Sequence, residues 1–265
     1  MSSAERDRRA YELAREYLLG REGVTSDMLD RHLRPAAKPS HLWEVYFRLL
    51  ETLQNAQMMP NVIGRAIGGL ANLRPVMCDF EPEDIVASFS NNQDRLLDEI
   101  SSRLRPRGQF RRDRRSLWNR FCRGALSGAE FLAQFKTAQE FFLWADFFNE
   151  DDRTRPALPL LLEQEIVGLG FPLACDFLKE SGYEGFGKPD VQLKYIFPRL
   201  GLAEDKTDFK IFKAIVRVAR NAGETPYAVD KTFWLVGSGN FYLPPGEKVA
   251  TDRAEFVDLA LSKLA

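Results

Sequence analysis

Two apolar, helix-forming runs, 157–167 and 173–179, are joined by Gly168-Leu169-Gly170-Phe171-Pro172. Glycine reaches backbone conformations closed to other residues and lets a second backbone come close. Helices with so short a join must turn back on each other. The second helix then begins with N–H groups that no turn of its own accepts. Those amides, with the helix dipole behind them, suit a phosphate. A lone Gly-x-Gly is equally a plain helix–helix turn, so its meaning depends on the rest of the chain.

Elsewhere the apolar residues also recur at helical spacing. The pattern predicts helices over 4–20, 26–33 and 41–58, the last with Leu42, Val45, Tyr46, Leu49, Leu50 and Leu53 on one face. A further helix over 61–73 is loosened at Gly64, Gly68 and Gly69, and others cover 81–88 and 93–104. Ser127-Gly128-Ala129-Glu130 has the form of a capping box and predicts the start of an aromatic helix reaching Phe148. Three more helices follow over 209–222, 226–237 and 252–264. No stretch alternates like a strand, and no repeat is apparent. The expected fold is all-α. Residues 34–40, with Pro35 and Pro39, disfavour helix and form a connector.

At 265 residues and 45% hydrophobic, the chain can bury a sizeable core. Its formal charge of −1 gives no global field toward nucleic acid or membrane. Cys78, Cys122 and Cys175 are far apart, which argues against a cysteine-built metal site or a disulfide framework. His32 and His41 are too isolated to suggest a metal site or a triad. The charged start carries no secretory pattern, and no apolar run is long enough to span a membrane. The expected location is the cytoplasm, or the nucleoid if the chain is bacterial.

One segment departs from this neutral balance. Between 103 and 123 nine arginines, among them Arg111, Arg112, Arg114 and Arg115, face a single acid, Asp113. Arginine forks hydrogen-bond phosphate oxygens in pairs. A solvated loop paired with acids elsewhere is the bland explanation. The local excess favours a polyanion-facing role.

Taken together, Gly168-x-Gly170-x-x-x-Ala174, the later Lys188-Pro189-Asp190, and Arg199-Leu200-Gly201-Leu202 resemble the helix-hairpin-helix DNA glycosylase superfamily, the endonuclease III-like fold. Upstream, Asn55-Ala56-Gln57 falls where that family's early helix ends in Leu-Ser-Ala-Gln. The resemblance covers roughly 42–60 and 157–240. It implies two helical lobes with a cleft between them. One lobe is 41–185, containing the helix-hairpin-helix motif at 156–182. The other is 1–40 with 186–265.

It also implies that Gly168, Leu169, Gly170, Phe171, Leu173 and Ala174 grip a DNA phosphate, with room for a monovalent cation at the hairpin carbonyls. Gln57 and Met58 would fill the gap left by a flipped base, Lys188 would pair with phosphate, and Asp190 would be catalytic. Trp43, Trp144 and Phe148 are candidates to stack on the flipped base. The partner is then double-stranded DNA with a damaged or modified base, met by a monomer without a cofactor.

Two departures bear on the chemistry. Lyase members of the family carry a hairpin lysine where this chain has Phe171, Pro172 and Leu173, and the four-cysteine iron–sulfur cluster is absent from the sequence. The reading is therefore a monofunctional glycosylase. Its alternatives are a catalytically silent DNA-binding protein and an 8-oxoguanine-type glycosylase/lyase using another amine, with Lys188 nearest. In N-glycosidic cleavage the sugar carbon gains positive charge. A carboxylate such as Asp190 stabilises that charge or activates water. On residues alone, Asp190 is also an ordinary helix N-cap.

Overall fold

A computed structural model describes residues 1–55, 61–243 and 246–264. Gln57 and Met58, expected at the DNA gap, lie outside the described residues. The chain is mostly helical. In order the helices are α1 (Ser3–Leu19), α2 (Ser26–His32), α3 (Leu42–Leu53), α4 (Val62–Ala66), α5 (Pro82–Phe89), α6 (Gln93–Leu104), α7 (Leu117–Leu132), α8 (Ala138–Asn149), α9 (Ala157–Glu165), α10 (Phe171–Glu180), α11 (Val191–Arg199), α12 (Asp208–Ala222), α13 (Pro226–Gly237) and α14 (Arg253–Leu264). Many start on a side chain that accepts a first-turn N–H: Ser2, Thr25, Asn92, Ser116, Thr137, Asp190 and Thr225.

Two sequence expectations fail. Ser127 does not open a helix but lies inside α7, and the aromatic helix α8 starts later, at Thr137. The Ser127 hydroxyl is used by the backbone around it, donating toward the carbonyls of Arg123 and Gly124 at 3.0 and 3.2 Å. The second is a short antiparallel hairpin, β1 (Asn240–Leu243) with β2 (Glu247–Ala250), in which Phe241 pairs with Val249. Four-residue strands are too short for their alternation to register.

Two compact units result, Ala37–Phe177 and a discontinuous one of Met1–Ala36 with Leu178–Ala265. In the discontinuous unit Ala10, Leu13, Ala14 and Leu18 of α1 are buried in one core with residues of α11 to α14. Phe233 lies at its centre, 5.0 Å from Phe197 and 6.1 Å from Phe256 between ring centroids. Asp7 is 1% exposed and accepts from Arg217 Nε at 2.7 Å and Asn221 Nδ2 at 2.7 Å, which ties α1 to α12.

The continuous unit is built around α7, which packs on α3, α5, α6 and α9. Its close packing follows from two glycines four residues apart. A Cβ on Gly124 would stand 2.7 Å from the Val167 carbonyl oxygen, and one on Gly128 would stand 2.5 Å from Leu49 Cδ2. The missing side chains let α3 and the turn after α9 lie directly against α7. Tyr46 completes the seam, its buried hydroxyl donating to the Ala125 carbonyl at 2.9 Å.

Candidate functional site

In the continuous unit α9 and α10 are joined by residues 166–170. Gly168 has φ +82°, a left-handed conformation that suits glycine. Ile166 and Leu169 point into the core, each 1% exposed, and the Leu169 N–H closes the turn on the Ile166 carbonyl at 3.1 Å. The Val167 N–H donates to Ser127 Oγ at 2.9 Å. Ser127 and Gly124 on α7 therefore hold the turn from below.

The N–H groups of the exposed Gly168 and the half-buried Gly170 have no hydrogen-bond partner among the described residues. Pro172 has no N–H, and that of Leu173 returns to the Gly170 carbonyl at 2.8 Å. The turn lines an open hollow of 540 Å³ with Arg120, Glu163, Pro172 and Leu173. Some of its carbonyls are already engaged. Those of Ile166 and Gly170 already accept N–H groups, and that of Val167 lies against Gly124. Phe171 and Ala174, expected on the phosphate side, are buried.

The arginine segment lies in the same unit, between α6 and α7. It is a fixed loop. Arg107 N–H donates to the Ala66 carbonyl at 2.8 Å, and Ser116 Oγ donates to that of Arg111 at 2.7 Å. Asn119 Nδ2 donates to the carbonyl of Arg112 at 3.1 Å, and Phe110 packs on the buried Trp118 at 4.9 Å. Arg112 is ion-paired to Asp98 and Arg103 to Glu99. The exposed side chains of Arg105, Arg107, Arg111, Arg114, Arg115 and Arg120 have no ion-pair partner among the described residues.

The candidate carboxylate lies in the discontinuous unit, at the end of Gly187-Lys188-Pro189-Asp190. Gly187 is pressed so close that a Cβ would stand 2.7 Å from Ile215 Cγ2 and 3.0 Å from the Pro226 carbonyl. The Lys188 N–H donates to Asp230 Oδ2 at 3.0 Å. Asp230, 1% exposed, also receives Lys179 Nζ at 2.9 Å, a buried ion pair. This frame fixes Asp190 as the N-cap of α11, with Oδ1 accepting from Gln192 at 2.8 Å and Leu193 at 3.1 Å.

Both cap bonds go to Oδ1, and Oδ2 has no partner among the described residues. The residue as a whole is half-buried. Burial raises the Asp190 carboxyl to about 6, the negative charge of Asp230 adds to that, and the cap bonds and Lys188 act the other way. An acid of this kind exchanges its proton near neutral pH.

The aromatic candidates separate. Trp144 and Phe148 share a cluster, 5.4 Å apart, with Phe131, Phe135 and Phe141 around Trp144. Trp43 instead stacks under the Arg74 guanidinium at 4.5 Å and beside His41. Sequence reasoning missed Ser127, Gly124, Lys179 and Asp230. The Gly124-x-x-x-Gly128 spacing was a usable signal for a close helix contact. The Lys179–Asp230 pair spans 51 residues and left none.

Among the described residues no cluster of His, Cys, Asp or Glu could hold a metal ion, and no helix is long and apolar enough to cross a membrane. Compared with protein-family models, curated proteins and solved structures, the chain matches none, and its chemistry is read from these residues alone.

Proposed function

We propose that this chain is a monofunctional DNA glycosylase of the helix-hairpin-helix kind. It cleaves the N-glycosidic bond of a flipped, damaged or modified base in double-stranded DNA. The observation that carries the reading is Asp190, a half-buried carboxylate raised to about 6 with one oxygen engaged by the helix and the other without a partner among the described residues. Ionised above that pH, Oδ2 faces positive charge growing on the sugar carbon, or takes the proton of the water that attacks it as the base departs. The unpartnered amides of Gly168 and Gly170 supply donors for a phosphate of duplex DNA. The hairpin has no lysine, and Lys179 is buried against Asp230. Both features favour hydrolysis over a covalent lyase step.

The test is excision across a panel of modified-base duplexes by wild type and Asp190→Asn. Wild type is expected to release at least one base, and the variant to lose about 100-fold or more in rate. Full activity in the variant sinks the role of Asp190. A covalent adduct trapped by borohydride sinks the monofunctional reading.

A second reading, a DNA-binding protein without chemistry, is favoured by one observation: the two bonds to Oδ1 are those of an ordinary N-cap. Wild type that binds duplex DNA yet excises nothing from the panel supports it.

A further inference from the structure

The arginine loop and the hairpin turn are separated in sequence but lie along one face of the continuous unit. A hollow of 660 Å³ is lined by Arg107, Arg111, Arg115 and Leu117 and floored by Trp118, with no acidic residue in its lining. Leu117 also lines the small hollow that follows, together with Arg120, Val167 and Gly168. Arg120 and Gly168 then line the third, whose wall is the hairpin turn. Shared lining residues thus make the three hollows neighbours on the surface.

Four exposed guanidinium groups without ion-pair partners border two unpartnered backbone N–H groups. Among the described residues that line the hollow at the turn, Glu163 is the carboxylate. Arginines on a fixed loop lose less freedom on binding than arginines on a mobile one, and their forks match phosphate oxygens.

We propose that this face is a single track for a phosphodiester backbone, with Arg107, Arg111, Arg115 and Arg120 as its cationic contacts and the turn at Gly168–Gly170 as its end. The inference rests on the DNA-binding half of the function above and not on its chemistry. The track carries the strand beyond the hairpin, so the loop sets affinity and salt dependence while base choice is made elsewhere.

The experiment is fluorescence anisotropy of an unmodified duplex, and of the matching single strand, over a series of salt concentrations. Each phosphate contact contributes a slope of about −0.9 on logarithmic axes for a duplex and about −0.7 for a single strand. A combined Arg107→Gln, Arg111→Gln, Arg115→Gln chain is expected to lose roughly two to three units of slope and at least about tenfold in affinity near 100 mM salt. Arg120→Gln alone is expected to lose about one unit. Arg8→Gln, an exposed change on α1, is the control and should leave the slope alone.

These side chains are exposed, and the loop is anchored through backbone groups of Arg107 and Arg111, so the variants keep the fold. A wild-type slope in the triple variant overturns the proposal, as does an equal loss in the Arg8 control. The measurement needs no excision. Failure of the glycosylase chemistry with intact salt effects leaves the track standing. Excision that persists with an unchanged slope removes the track alone.

Discussion

Two helix starts in this protein solve the same problem in opposite ways. At α10 the residue before the helix is Gly170, which has no side chain, and amides at Gly168 and Gly170 stand without a partner among the described residues. At α11 the residue before the helix is Asp190, whose Oδ1 absorbs the amides of Gln192 and Leu193. The first start offers donors to something outside the chain, while the second satisfies itself and offers an acceptor. A phosphate suits the first, and a developing positive charge suits the second. The supports differ too. The α10 turn rests on neutral contacts, a serine hydroxyl and two glycine gaps, whereas the segment before Asp190 rests on a buried ion pair.

The sharpest way to break this contrast is Asp230→Ala. It removes the closest carboxylate of Lys179, 7% exposed, leaving Glu180 at 3.7 Å, and takes away the Asp230 acceptor of the Lys188 N–H. A loss of about 3–5 kcal/mol in unfolding free energy is expected, read by denaturant titration. A loss under about 1 kcal/mol would mean that the pair does not hold the α11 start.

Asp190→Asn is expected to act with the opposite sign. Asparagine caps a helix as well as aspartate but carries no charge to bury. The wild-type carboxyl is raised, so between its unfolded value near 4 and its folded value of about 6 the folded state binds more protons. Wild-type stability therefore falls as pH rises through that window and stays lower above it. The variant should be more stable at pH 7 by about 1–3 kcal/mol, with a flatter profile between pH 4 and 6. Identical profiles would make Asp190 an ordinary cap.

Ser127→Ala probes the other start. It removes the acceptor of the Val167 N–H and should cost about 1 kcal/mol, with faster amide exchange at Val167. Unchanged exchange would show that the glycine gaps alone seat the turn.

How legible these features were follows from the range of the interactions that make them. Local periodicity identified α6 residue for residue over 93–104, and it found the amphipathic faces of α1 and α12. It overran on α3, which stops at Leu53 although the apolar pattern continues. The capping signature at Ser127 misled because the same residue types serve inside a helix when a neighbouring segment uses the hydroxyl, as Val167 does. Gly124 and Gly128 sit within a helix that propensity alone would disfavour, and only the third dimension shows what occupies their place. Asp190 was legible as a residue with two meanings. Its perturbed ionisation was not, because it comes first from burial in the fold and then from Asp230, forty residues downstream in the chain.

The tie between Asp7 and Arg217 has a consequence for the ribosome. Residues 37–177 form their unit from one uninterrupted stretch, so all its partners are present once that stretch has emerged. Helix α1 is made before that stretch, yet the residues that share a core with Ala10, Leu13 and Leu18 come from α11 to α14, up to Leu264. During synthesis its apolar side must wait through most of the chain, uncovered or held by a chaperone, before its core closes. This helix is thus translated long before the residues that finish its core.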